Sequence, residues 1–144
     1  METKMFKRTL FSAFLIATFV MMGCSGKYKV TGKVLFEDDD SPVTLGVISF
    51  YGDGVVGSGR INPDGSFSVG VKTETDGIPK GEYGVTITAM DTVAGKNVSA
   101  PGFGSVESSS FVSQIDTKYG TVSRSGLTAT VPSKEYIFRV ERAK

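Results

Sequence analysis

The chain has 144 residues and a formal net charge of +1, which leaves room for one domain and provides no basic surface for nucleic acid. The sequence contains no histidine, so Ser-His-Asp and Cys-His catalysis are excluded and the commonest zinc ligand is missing. A single cysteine is too few for an intramolecular disulfide. The 18 glycines, with valine and threonine at alternating positions, are typical of an all-β protein.

The beginning of the chain has the pattern of an export signal. Three basic residues among the first eight precede an apolar run over residues 10–22. This run is shorter than the roughly 20 apolar residues that a membrane-spanning helix needs, and no stop-transfer pattern follows it. We therefore predict a signal peptide that is cleaved, with Met5 as an alternative start to Met1 because the pattern begins there.

The apolar run ends in Met21-Met22-Gly23-Cys24, which resembles the lipobox of bacterial lipoproteins. The resemblance implies cleavage before Cys24, a diacylglycerol on its sulfur and a further acyl chain, such as palmitate, on the new amino group. Each buried methylene contributes about 0.8 kcal/mol, so two or more chains anchor a protein firmly. The alternative is an ordinary secretory signal with an incidental cysteine, which would leave an exposed thiol without a partner.

A lipid on Cys24 implies an exported protein that is held at the bacterial cell membrane. The next residue is Ser25, not the aspartate that retains many lipoproteins in the inner membrane, which favours the outer membrane. The predicted organisation is a lipoprotein signal peptide over residues 1–23, a lipidated N-terminus and short linker over 24–26, and a single β-sandwich domain over 27–144.

Alternation of apolar and polar residues begins directly after the linker and predicts a series of β-strands. The clearest local signal is a hairpin around the NPDG sequence at residues 62–65. Its proline suits the first corner of a type I turn, and its glycine suits the left-handed position that follows. The predicted strands cover residues 28–36, 45–51, 58–61, 66–69, 82–89, 125–131 and 135–141.

Two segments between these strands are predicted to lack regular structure. Residues 37–40, a glutamate followed by three aspartates, form a turn by composition. Residues 91–113 are rich in Gly, Ser and Asn and show little periodicity, so we expect a long loop there. Seven short strands separated by turn signals predict two packed antiparallel sheets, that is, a seven-stranded β-sandwich.

Five further motifs follow one another along the same chain. They are YKVTGKV at 28–34, VISFY at 47–51, GRINPDGSF at 59–67, IPKGEYGVT at 78–86, and IDTKYG at 115–120 followed by SGLTATV at 125–131. In this order they resemble the carboxypeptidase regulatory-like, transthyretin-like domains of small bacterial lipoproteins. The resemblance covers nearly the whole domain except residues 91–113. It implies a Greek-key β-sandwich of prealbumin-like, immunoglobulin-like architecture without catalytic activity.

The transthyretin-like fold also hosts a hydroxyisourate hydrolase, but this chain departs from that enzyme. The hydrolase relies on histidines and on a C-terminal Tyr-Arg-Gly-Ser motif, whereas this chain has no histidine and ends in VERAK. We therefore predict no enzymatic activity, no catalytic residues and no cofactor.

The acidic turn at residues 37–40 provides the one cluster of possible calcium ligands in the sequence. The alternative is a solvated turn, because consecutive aspartates on an extended backbone point in diverging directions. The sequence leaves calcium binding open, and we predict no metal site.

Most aromatic residues lie at alternating strand positions and are predicted to pack in the core. Phe103 and Phe111 are exceptions, because they fall in the expected loop, where an exposed aromatic can anchor a ligand. We expect a structural or protein-interaction role in the cell envelope, with membrane attachment through Cys24 and an envelope protein as partner. The alternative is a polysaccharide-binding module that uses residues 91–113.

Overall fold

The structure, a computed structural model, describes residues 26–94, 98–100, 103–106 and 109–144, with side chains outside residues 94–108. The predicted signal peptide and Cys24 lie outside the described residues. The described chain is all-β, as predicted, with one short 3-10 turn (Thr117–Gly120) and one short helix, α1 (Val122–Ser125). The strands are β1 (Lys27–Tyr28), β2 (Val30–Phe36), β3 (Gly46–Tyr51), β4 (Val56–Ile61), β5 (Ser66–Val69), β6 (Ile78–Pro79), β7 (Gly81–Ala94), β8 (Val98–Ala100), β9 (Phe103–Val106), β10 (Ser109–Ser113), β11 (Leu127–Val131) and β12 (Tyr136–Val140).

Most strands belong to one sheet, in the order β10, β7, β3, β4, β5, β2, β12, and β11 also pairs with β7. The pairings are antiparallel except that of β12 with β2, which is parallel. Two further pairs, β1 with β6 and β8 with β9, form separate two-stranded sheets. Each of the seven predicted strands is present, and five additional short strands extend the pattern.

The sheet curls so that its last strand, β12, packs against β3 in its middle. Phe50 of β3 is fully buried, and its ring centroid lies 5.9 Å from that of Tyr136 and 6.0 Å from that of Phe138, both on β12. The rings of Phe67 and Tyr83 complete the cluster at 6.4 and 6.2 Å. The prediction that alternating aromatics form the core is confirmed for these residues, because residues from four strands meet around one ring.

The hairpin predicted at residues 62–65 is confirmed. Gly65 has a φ of +80°, the left-handed conformation that glycine adopts without strain. Its N–H donates to the carbonyl of Asn62, and its carbonyl accepts from the N–H of Val34 on β2. A Cβ atom at residue 65 would lie 2.8 Å from the Val34 carbonyl oxygen, so the turn packs directly against the neighbouring strand.

Strand directions define two ends of the domain. Lys27 begins β1, directly before β2, and we call this end of β2 the N-terminal end. The opposite end, where β2 finishes at Phe36, we call the distal end. The register places Val140 beside Phe36, and Gly65 binds Val34, so the C-terminus and the hairpin turn are distal. Ile61 at the end of β4 pairs with Gly46, and Gly46 pairs with Ala89, so β7 also runs toward the distal end.

The N-terminal end is held in place by backbone and charge contacts. β1 pairs with β6, with Tyr28 opposite Ile78. The ammonium group of Lys27 donates to the carboxylate of Asp76 at 2.7 Å. The first described residues are therefore fixed to the domain, and the chain toward Cys24 leaves from the end opposite to the C-terminus.

Candidate interaction surface

A two-stranded arm extends from the distal end. Ala89 is buried and residues 90–93 are exposed, but β7 continues for five residues beyond Ala89, and β10 pairs with this extension. Ser109 lies opposite Ala94 and Ser113 lies opposite Met90. We call residues 90–94 and 109–113 the distal arm. At about 3.3 Å per residue the arm is roughly 16 Å long.

The distal arm exposes apolar side chains on both faces. Residues directly opposite share a face, so Phe111 lies beside Thr92 and diagonal to Met90, while Val112 lies beside Asp91 and diagonal to Val93. The exposed fractions are 51% for Met90, 47% for Val93, 70% for Phe111 and 50% for Val112. An isolated two-stranded hairpin is marginally stable in water, so a surface of this kind gains stability from a partner that covers it.

The expectation of a long loop over residues 91–113 is wrong for the described residues. β7 continues to Ala94, and β8, β9 and β10 follow within the same segment. Phe111 is on a strand and strongly exposed. Phe103 begins β9, but its side chain lies outside the described set. Sequence reasoning missed the strands because serine and glycine mask the alternation, although SSFVS at 109–113 carries two adjacent strand-forming residues.

The outer edge of β10 carries backbone groups without a strand partner among the described residues. The N–H of Gln114 donates to the carbonyl of Ala89 at 2.9 Å, which sets the phase of the antiparallel ladder. By alternation, residues 110 and 112 direct their N–H and C=O groups at β7. Residues 109, 111 and 113 direct theirs at the outer edge, where Phe111 is central.

The three aspartates of the acidic turn at residues 37–40 form ion pairs with two arginines of the C-terminal strand and its extension. Arg142 lies 2.8 Å from a carboxylate oxygen of Asp38 and 2.9 Å from one of Asp39. Arg139 lies 2.9 Å from a carboxylate oxygen of Asp40. These contacts join the distal ends of β2 and β12, which are parallel neighbours. Exposed ion pairs contribute little individually, so the network aligns the two strand ends more than it stabilises them.

The carboxylates of the same turn face arginines instead of a common point. Among the described residues, no three acidic or cysteine side chains are grouped so that they could hold a metal ion. The guanidinium of Arg142 also stacks on the Phe36 ring, 3.7 Å from its centroid, and donates to the Ser41 hydroxyl at 3.0 Å. Its position is fixed from two sides, so a calcium ion at the turn would have to displace an ordered cation.

Hydrogen bonds to one carboxylate of the turn change its pKa. The Ser41 hydroxyl donates to Asp39 at 2.6 Å and the Ser41 N–H donates to the same oxygen at 3.0 Å. With the charge of Arg142, these donors lower the pKa of Asp39 from 3.8 to about 2.

A second free strand edge differs from that of the arm. β11 and β12 follow each other in the chain but belong to different parts of the curled sheet, and a groove lies between them. Pro132 and Glu135 line this groove, and Arg139 of β12 binds Asp40. Proline and charged residues protect free edges from pairing, so this edge resembles those that natural proteins keep closed to partners.

Comparisons with known proteins leave the family open. No family model matches the chain, and no curated protein matches it. One solved structure, the crystal structure of a 9R-lipoxygenase from Cyanothece PCC8801, is 16% identical over 79% of this chain, with a TM-score of 0.31. The chain spans 16% of that protein. This TM-score does not establish a common fold, and we infer nothing about activity from it. Among the described residues, no helix has the length and hydropathy needed to span a membrane.

The charge on Asp39 gives the protein a predictable response to acid. Because the folded pKa lies below the unfolded value of 3.8, stability from Asp39 is present above about pH 4 and is lost as the pH falls toward 2. We expect Asp39→Asn to lower the melting temperature at pH 6, with a difference from the wild type that shrinks below pH 4. Ser41→Ala, which keeps the carboxylate but removes one donor, should give a smaller pH-dependent difference. Melting curves that differ by the same amount from pH 6 to pH 2 would contradict this account.

Proposed function

We propose that the protein is a lipid-anchored, non-enzymatic β-domain of the cell envelope and that it binds an envelope protein through the distal arm. The observation that carries the proposal is the exposure of Phe111 on a strand that extends beyond the core. Exposed aromatic residues in extended segments are frequent anchors of protein interfaces. This role requires no catalytic residues, and the chain has no histidine to serve as a catalytic base.

We further propose that the core is a Greek-key sandwich of the transthyretin-like, carboxypeptidase regulatory-like type. Support comes from the motif order in the sequence and from the curl that brings β12 against β3, with ring centroids of Phe50 and Phe138 6.0 Å apart. In this view the arm is an addition to the sandwich, in the segment where the sequence is least similar to that family.

The position of the proposed anchor supports a role at a membrane surface. Cys24 precedes Lys27 by three residues, and Lys27 lies at the N-terminal end of the domain. A lipid on Cys24 would therefore hold this end at the bilayer, and the distal arm would point away from it. Seven residues of β2 at about 3.3 Å each set the base of the arm roughly 20 Å or more from the anchor.

The anchor is tested by removing the sulfur that carries it. We expect Cys24→Ala to abolish labelling with a radioactive fatty acid and to release the protein from the detergent-extractable membrane fraction. If the variant stays in that fraction, the lipid-anchor proposal is wrong. Separation of inner and outer membranes of the wild-type strain tests the proposed outer-membrane location.

The arm is tested by crosslinking in intact cells with a tag after Lys144. We expect Phe111→Ala to reduce the yield of a dominant crosslinked envelope protein by about tenfold, as loss of an interface anchor of about 1.4 kcal/mol would do. Ile137→Ala is the matched control, since Ile137 is an apolar residue on β12 with 49% exposure, and it should leave the yield unchanged. Equal yields for wild type and Phe111→Ala would exclude the arm as the binding surface.

A polysaccharide partner is the second candidate, and the same exposed Phe111 favours it because sugar rings stack on aromatic faces. Recovery of glycan with the tagged protein, reduced by Phe111→Ala and not by Ile137→Ala, would select this candidate over a protein partner. Phe103→Ala extends the comparison to the other aromatic residue that the sequence singles out.

A further inference from the structure

We infer that the distal arm binds a second copy of this chain by antiparallel pairing of two β10 strands, centred on Phe111. The inference deepens the proposed interaction role and rests on it. The inferred partner is an identical arm, and the inferred contact is between strand edges. The supporting observations are that the edge has no strand partner among the described residues and that its composition permits pairing.

Within the described ranges no strand pairs with the outer edge of β10. Residues 109, 111 and 113 present N–H and C=O groups on the side of β10 away from β7, as the Gln114 to Ala89 hydrogen bond requires. An exposed row of such groups is a template for pairing with another strand.

The edge lacks the features that prevent pairing. Residues 109–113, SSFVS, contain no charge and no proline, and their register with β7 is regular from Ser109 to Ser113. In contrast, the residues that line the groove beside β12 include a proline, Pro132, and a charged residue, Glu135. β10 has no charged side chain that could form an ion pair with a charged partner strand. Pairing of two identical β10 strands brings no like charges together.

A two-fold axis through residue 111 makes the pairing self-complementary. It places Phe111 opposite the partner copy's residue 111, and Ser109 opposite residue 113, each as a hydrogen-bonded pair. Three such pairs supply up to about six backbone hydrogen bonds. The two Phe111 rings then lie on one face as direct cross-strand neighbours, an arrangement that stabilises antiparallel sheets.

The C-terminal tail limits the length of this contact. Opposite the five residues of one β10 lie the five residues of the other, and just beyond the paired segment the carbonyl of Gln114 accepts from the N–H of Ala143 at 3.1 Å. Antiparallel pairing reverses the second domain, so the two N-terminal ends lie at opposite ends of the dimer. Two β2 strands and one shared arm separate them by roughly 60 Å. Copies anchored through Cys24 would therefore pair between facing membrane surfaces.

The test uses charge at the two-fold axis in the full chain purified in detergent. We expect Phe111→Lys and Phe111→Glu each to weaken self-association at least about tenfold in sedimentation equilibrium, because like charges then face each other. An equimolar mixture of the two variants should restore a 1:1 dimer. Val93→Lys and Val93→Glu place the same charges on the inner strand of the arm and should leave the dimer intact.

Three results would overturn the inference. They are a monomeric wild type, single variants that dimerise like the wild type, and a mixture that stays monomeric. Circular dichroism spectra that match the wild type confirm that the variants are folded, as expected because the Phe111 side chain is exposed. A monomeric protein that still loses its crosslinked envelope partner on Phe111→Ala would reject self-pairing and leave the proposed function standing.

Discussion

The packing of Phe50 against Tyr136 and Phe138 is the interaction on which the rest of the structure depends. It holds the end of the sheet against its middle and so turns a single sheet into a closed core. Full burial of a phenylalanine side chain contributes about 1.5–3 kcal/mol, and edge-to-face contacts with its neighbours add to this. With β12 fixed beside β2, the arginines of the last strand reach the acidic turn at the end of β2.

Closure of the core also decides which parts of the chain are free to bind. Strands β2, β7 and β12 all run toward the distal end, while the N-terminal segment is held at the other end by Asp76. β7 extends five residues beyond Ala89, which is buried in the core. These five residues and β10 therefore project from the core. The exposed apolar side chains of the arm are therefore a consequence of strand length, and a partner is the means of covering them.

Local chemistry predicted the core of the fold but not the arm. The alternation of Val30, Val34 and Phe36 and the glycine of the 62–65 turn each follow from short-range rules, and the structure confirms them. The arm depends on long-range pairing of residues about twenty positions apart, and serine-rich strands carry no strong periodicity, so residues 91–113 read as a loop. The sequence predicts an exposed Phe111 in a loop, and the structure confirms the exposure but places the residue on a strand. The ion pairs of the aspartates at 38–40 could not be predicted from the sequence either. Their arginine partners lie about a hundred residues away and contact them only because β12 pairs with β2.

The central claim is that the outer edge of the arm is a binding edge. Hydrogen exchange at two neighbouring amides of β10 tests this claim most directly. The N–H of Val112 points at β7, while that of Phe111 points outward. In dilute purified protein the Phe111 amide should exchange rapidly and the Val112 amide slowly. In membrane vesicles that carry the native partners, we expect the Phe111 amide to become as protected as the Val112 amide. Rapid exchange of the Phe111 amide in both preparations would contradict it.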